Sequence, residues 1–279
     1  MNTSRRVHQH GLSLVELMIA MVIGLILMAG ISQVLLSGKR SFNTQSGTGT
    51  LQENGRFAMY YLQRDIRMAG FPRSVGPTTG VPPMVAFVAA NTTDGGTSGN
   101  DQIQVQFNSD PNVPNSDEDC LGQESSTVFC TGGTCPTATN PTSQTDDGTN
   151  IWIVTNHYFV QNGALMCRGI GNAAAQQIAQ GVDSMQILYG RDTNGDDFAD
   201  VYETATQVPA DRWIDIVSVR IGLLLNSQEQ VADTPDTRRY AVLDAPEFIP
   251  TDNTATPVNE LLFRRQVFTT TIEVRNRTQ

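Results

Sequence analysis

The sequence predicts an α+β protein in which one long amino-terminal helix precedes a β-rich head. Three observations carry this expectation. Leu12 to Leu36 is an almost unbroken apolar run. From Leu51 onward apolar residues recur at helical spacing, at Leu51, Phe57 or Ala58, Tyr61 or Leu62, Ile66 and Ala69. Beyond Pro72 the pattern changes to alternation with a period of two, punctuated by turn-forming residues.

The 279 residues are 39% hydrophobic and only 16% charged, against about 25% charged in an ordinary soluble domain. Thr, Ser, Asn and Gln replace the missing charge, so the exterior is polar rather than ionic. This length builds one large domain or two small ones with a real core. It excludes wholesale disorder and a multi-span membrane protein. With 18 Lys and Arg against 28 Asp and Glu, the net charge is −10. Such a chain lacks the electrostatic footprint of a duplex-binding protein, whose affinity comes largely from phosphate neutralisation.

Residues 1–11 are short, polar and basic through Arg5 and Arg6. The apolar run from Leu12 to Leu36 would extend about 37 Å as a helix, enough to cross a bilayer core. Arg5 and Arg6 on the short leading side place the amino terminus in the cytoplasm and the rest of the chain beyond the membrane. A cleaved secretory signal has a shorter apolar core, of about 7–15 residues. A plain anchor fits the length but leaves Glu16 unexplained, because a carboxylate in an apolar span costs several kcal/mol unless it is paired. Residues 12–38 contain no Lys or Arg, so the partner comes from elsewhere; a free α-amino group is one candidate.

Gly11-Leu12-Ser13-Leu14-Val15-Glu16-Leu17 resembles the processing site of type IV pilins and their relatives. In that family a prepilin peptidase cuts after the glycine and N-methylates the new first residue, here Leu12. The resemblance gives Glu16, fifth in the mature chain, the role of pairing with the amino terminus of a neighbouring subunit. Each buried charge would then acquire its opposite during assembly. Leu12 stands where phenylalanine is usual, and the site still begins with a large apolar residue. A second block, Gln52 to Phe71, resembles PilW-type minor pilins, and the run from Arg264 through Arg277 is similar to that family's ending.

The resemblance implies a pilin-like fold, with a long helix packed on an antiparallel sheet. It divides the chain into a leader (1–11), a transmembrane and filament-core helix (12–38), the outer half of that helix (39–71) and a periplasmic or extracellular head (72–279). It implies no enzyme but a structural subunit of a bacterial type IV pilus. That subunit helps prime assembly and sits near the tip, supporting twitching motility, adhesion and DNA uptake. Expected partners are other minor and major pilins, prepilin peptidase, the inner-membrane assembly platform and a large tip adhesin. The chain would reside in the inner membrane before reaching the pilus. A minor pseudopilin of type II secretion shares the processing site and fold, and a membrane-anchored periplasmic binding module is a further alternative.

The helix is expected from Leu12 to Met68, about 85 Å if continuous. Gly38, Gly47, Gly49 and Gly55 predict a bend or a melted stretch near residues 38–50. Gly70-Phe71-Pro72 ends it. Expected strands are Met84–Val88, Gln102–Phe107, Ile151–Val160, Ala164–Arg168, Met185–Tyr189, Trp213–Leu225 and Leu262–Val274, mostly antiparallel. Asn91–Asn100, Asn108–Asn150 and Pro250–Asn259 read as loops.

Four cysteines, Cys120, Cys130, Cys135 and Cys167, in a chain delivered to an oxidising compartment point to two disulfides, with all three connectivities open. Asp192, Asn194, Asp196, Phe198, Asp200 and Glu203 have the spacing of a calcium loop, with Phe198 offering its carbonyl. Asp197 occupies the position where such loops carry glycine. The flanks read as strands, so the same segment also reads as a hairpin turn around Asn194-Gly195, a pair suited to positive φ. No cofactor is required on either reading, and calcium is the ion the sequence leaves open. Once the leader is removed His157 is the remaining histidine, in an expected strand, and hydrolase and phosphate-loop motifs are absent. Arg238-Arg239 and Arg264-Arg265 read as exposed strand-edge charges that discourage unwanted sheet pairing.

Overall fold

The computed structural model describes residues 13–70, 86–96, 99–108, 118–123, 128–130, 150–169, 174–251 and 259–274, with the backbone alone at 128–130 and 150–152. Helix α1 runs from Leu14 to Met68. The chain divides into two compact units, one ending at Ser46 and one beginning at Gly47. In the first unit every residue from Ser13 to Asn43 is exposed.

The second unit begins with the last turns of α1, whose buried residues include Leu51, Gly55, Ala58, Leu62, Asp65 and Ile66. The expected melting near residues 38–50 does not occur: the helix is unbroken through all four glycines. Two of them are there for packing. A Cβ on Gly55 would lie 2.6–2.9 Å from three ring carbons of Phe268, and one on Gly47 would lie 2.6 Å from Val231 Cγ1. Close approach to the head therefore offsets the usual helix penalty of about 1 kcal/mol per glycine.

Two antiparallel sheets follow where one was expected. The first contains β1 (Ile103–Asn108), β2 (Val128–Cys130), β3 (Asn150–Gln161), β4 (Ala164–Arg168) and β5 (Gln176–Gln180), in the order β1–β3–β4–β5 with β2 also on β3. The second contains β6 (Val182–Arg191), β7 (Val201–Glu203), β8 (Ile216–Asn226) and β9 (Arg265–Glu273), in the order β7–β6–β8–β9. Both follow the antiparallel rule for strands joined by turns.

Ile103, Val105, Tyr158, Leu165, Ile187, Val219, Ile221 and Ile272 join the apolar face of α1 in one core. Strand β8 is buried along nearly its whole length, because Leu224 packs with Tyr240 and Val242 on its other side. That explains its near-continuous apolar sequence.

Several expected elements change character. Phe87 makes one isolated bridge to Val105 where a strand was expected. Trp213–Asp215 is a 3-10 turn ahead of β8, and Glu260–Leu262 is another ahead of β9. The polar strands β5 and β7 were missed, since QQIAQ and VYE give too little alternation to register.

Cys120 and Cys167 form a disulfide. The side chain of Cys130 and all of Cys135 lie outside the described residues, as do Gly11 and Leu12. The surface reading of Arg265 is corrected: its side chain is 2% exposed and pairs with Asp183 at 2.7 Å. It also donates to the Glu260 carbonyl at 3.0 Å. A guanidinium can be buried this way when its donors are matched by oxygens.

Candidate functional site

The amino-terminal unit presents an exposed apolar surface. Leu14, Met18, Leu25, Met28, Val34 and Leu35 are each at least 58% exposed. Among the described residues α1 is the one helix long and apolar enough to cross a membrane. Contiguous apolar surface on this scale needs lipid or other helices against it. Glu16 stands in the first turn, where its charge is favoured by the helix dipole. Ser32 returns its hydroxyl to the Met28 carbonyl at 2.8 Å, which satisfies that donor without water.

At the other end of α1 a buried polar network ties the helix to the head. Asp65, fully buried, accepts from the Tyr158 hydroxyl and from Asn156 Nδ2, both at 2.6 Å. Arg64 Nε donates to its other oxygen at 2.7 Å. Asn156 in turn accepts from the Cys120 backbone N–H at 2.8 Å. Helix, β3 and disulfide thus share one chain of hydrogen bonds. Burial, reinforced by the Asp65 charge, holds the Tyr158 hydroxyl well above its usual pKa. Burial acts to lower the pKa of Arg64, but the charge of Asp65 and the bond to it outweigh that and keep the guanidinium above its ordinary value. This network escaped the sequence reading. The available signal was an aspartate on the buried stripe, three residues after Leu62 and four before Ala69.

The acidic loop after β6 folds on its own oxygens. Asp192 accepts from the backbone N–H groups of Asn194, Gly195 and Asp197 at 3.0, 2.7 and 2.9 Å. Asn194 Oδ1 accepts from the Asp196 N–H at 2.9 Å, and Asp196 accepts from that of Phe198 at 3.0 Å. Asp200 takes both the N–H and the hydroxyl of Thr193, at 2.8 and 2.7 Å. Gly195 and Asp197 have φ of +84° and +65°, the left-handed region that this turning chain requires. The Gly195 N–H chiefly holds Asp192 below its ordinary pKa, and Thr193 does the same for Asp200. Glu203 lies on β7 and pairs with Arg191 at 2.7 and 3.1 Å. Among the described residues no group of three or more His, Cys, Asp or Glu is arranged to hold a metal ion. The Phe198 ring is 74% exposed at the loop's tip.

His157 sits on β3, shares a hydrogen bond of 3.1 Å with Gln102 and packs beside Phe159. Burial, followed by the nearby Arg168 charge, lowers its pKa. Its contacts are those of a structural strand residue.

An exposed apolar helix leading into a helix-on-antiparallel-sheet head is the architecture that the resemblance to type IV pilins implied. Residues 6–32 match the prokaryotic N-terminal methylation motif. Residues 152–276, covering nearly all of β3 through β9, match the family described as Type IV Pilus-assembly protein W. The Gln52–Phe71 block lies outside both matched ranges. Among solved structures the chain is similar to the type IV-like pilin TTHA1219 from Thermus thermophilus. The two share 14% identity over 82% of this chain and 97% of that one, with a TM-score of 0.46. No curated protein matches.

Proposed function

We propose that this chain is a minor pilin, a structural and assembly subunit of a bacterial type IV pilus. The observation that supports this reading is the bare apolar helix carrying Glu16 in its first turn, ahead of a head locked on through Asp65. Cleavage after Gly11 creates a free amine at Leu12. In the membrane Glu16 is an unpaired acid; beside another subunit it meets that subunit's amine, and the pairing sets helix register as apolar faces bundle. The leading Arg5 and Arg6 orient the precursor with its amino terminus in the cytoplasm. Other pilins, the peptidase, the assembly platform and a large tip adhesin are the partners on this reading. Priming of assembly, a place near the tip, motility, adhesion and DNA uptake are its consequences for the cell.

Peptide mass spectrometry on filaments sheared from cells tests it. A peptide beginning at methylated Leu12 in the sheared fraction is expected. The same peptide confined to cell envelopes would favour a pseudopilin of type II secretion, and an intact leader would leave a membrane anchor.

A further inference from the structure

We infer that the cavity between the end of α1, the loop at residues 118–122 and strand β5 binds the ammonium group of an extended alkylamine. The cavity encloses about 550 Å³ and is walled by Tyr61, Phe107, Leu121 and Ile178, with Glu118 and Asp119 also lining it. That volume falls in the usual range for small-ligand sites, roughly 300–1,000 Å³.

Both of these carboxylates lack a counter-charge. Asp119 is 4% exposed. Its Oδ1 accepts the backbone N–H groups of Leu121 and Gln123 at 2.8 and 3.0 Å, which fixes the carboxylate in place. Its Oδ2 is buried and has no donor among the described residues. That oxygen fills the space of an absent side chain, since a Cβ on Gly169 would fall 1.7 Å from it. A buried acceptor without a donor is costly, the more so when charged, and such an atom in a folded chain points to a missing partner. Glu118 is half-buried and makes no side-chain hydrogen bond or ion pair among the described residues.

The cavity's other charges are already matched. Arg64 and Asp65 pair at 2.7 Å, and the second oxygen of Asp65 is taken by Tyr158 and Asn156. The cavity therefore keeps an excess of negative charge from Glu118 and Asp119. A carboxylate's charge is shared over both oxygens, so Asp119 attracts a cation in the cavity even with Oδ2 against Gly169. Glu118 supplies the direct contact.

The lining decides which kind of cation. A calcium ion takes six to eight oxygens, and among the described residues no three acidic, histidine or cysteine side chains converge to provide them. An ammonium has only three donors to satisfy, and the Gln176 and Gln177 amides that also line the cavity bring further acceptors. Its alkyl stem would lie along the aromatic and aliphatic walls. Tyr61 already carries the Arg64 guanidinium 5.3 Å from its ring centre, so that wall accepts a cation. The chain's single lysine, Lys39, belongs to the other unit. The ammonium therefore comes from outside the head, as a lysine side chain of another protein or as a free diamine. The inference uses this cavity alone, so it stands or falls separately from the pilus reading.

The test is photo-labelling of the full-length protein in detergent micelles with Nα-acetyl photo-lysine amide, whose diazirine sits on the alkyl stem. Adducts are expected on the peptides that carry Leu121 or Ile178, and excess cadaverine should remove them. The same probe acetylated at its side-chain nitrogen, and so uncharged, should label roughly tenfold less. Glu118→Gln should cut labelling by a similar factor while the melting temperature holds, and Glu118→Asp should retain part of it. Ile178→Trp, on an edge strand, narrows the cavity and should also reduce labelling with every charge intact. Competition by an acetylated peptide with one internal lysine assigns the ammonium to a protein side chain; competition by cadaverine alone assigns it to a free amine. Labels that fall elsewhere, that the uncharged probe equals, or that Glu118→Gln leaves unchanged would overturn the proposal. So would calcium chloride displacing the label where sodium chloride of equal ionic strength does not.

Discussion

The Asp65 carboxylate near the end of α1 accepts the Tyr158 hydroxyl of β3 at 2.6 Å, fully buried on both sides. Through Asn156 the same carboxylate reaches the Cys120 backbone. The helix is thereby fixed to its head by directional bonds as well as by apolar packing. Tyr158→Phe leaves that carboxylate one donor short and should cost about 1.5–3 kcal/mol, the range for a hydrogen bond to a charged group. Asp65→Ala strands the Tyr158 hydroxyl and the Asn156 amide together and should cost more. Urea unfolding of the two variants in detergent checks both the size and the order.

The Gly55 contact predicts a reversal of sign. Gly55→Ala gains about 1 kcal/mol of helix propensity but drives a Cβ into the Phe268 ring, an overpacking that costs about 1–3 kcal/mol. The variant should be destabilised in the native background. In a Phe268→Leu background the same substitution should turn neutral or stabilising, and a double-mutant cycle of melting temperatures reads the coupling.

Asp101 makes the head sensitive to pH. Its carboxyl accepts from the Gly95 and Ile187 backbone N–H groups at 2.8 and 2.7 Å, yet burial, aided by Asp94 and Asp244, pushes its pKa up to about 6. An unfolded aspartate titrates near 3.9. Between those values the folded chain retains a proton that the unfolded chain has released. The contribution is present in full below about pH 4 and is lost as pH rises through about 6, some 3 kcal/mol in all. Other carboxylates of the head, such as Glu203 and Asp236, have lowered pKa values and act in the opposite sense. The measurement is therefore the difference in unfolding free energy between native protein and Asp101→Asn from pH 4 to pH 7. An unchanging difference would refute it.

The Cys120–Cys167 disulfide closes a loop with a sequence separation of 47. Loop-closure entropy for that length is about 4 kcal/mol. Reduction, or Cys120→Ala with Cys167→Ala, should lower the melting temperature by several degrees. Peptide mapping without reductant should recover the two cysteines in one linked product.

Glu16→Ala should leave cleavage after Gly11 and methylation of Leu12 intact and still remove the chain from sheared filaments. Filament incorporation unaffected by the substitution would separate Glu16 from assembly.

The extent of α1 was legible because its signals are local: apolar residues at helical spacing, and Gly-Phe-Pro to end it. The longer strands were legible for the same reason, with β4 falling on Ala164–Arg168 as expected. What failed was what depends on a distant partner. The four glycines predicted a weak point in the helix, but Gly47 and Gly55 are spaces cut for Val231 and Phe268, far along the chain. Arg265 looked like a surface charge until Asp183 came to meet it.

By itself the sequence determined the class of molecule: an apolar segment long enough to span a bilayer, one acid within it, and a polar β-rich head behind. Those are properties of composition and spacing, fixed by solvent preference along the chain. The tertiary structure alone decided how the head is held. It chose which buried charge received which donors and which glycine received which ring. Each of these is a meeting of residues remote in sequence, settled by burial and hydrogen-bond satisfaction only once the chain has folded.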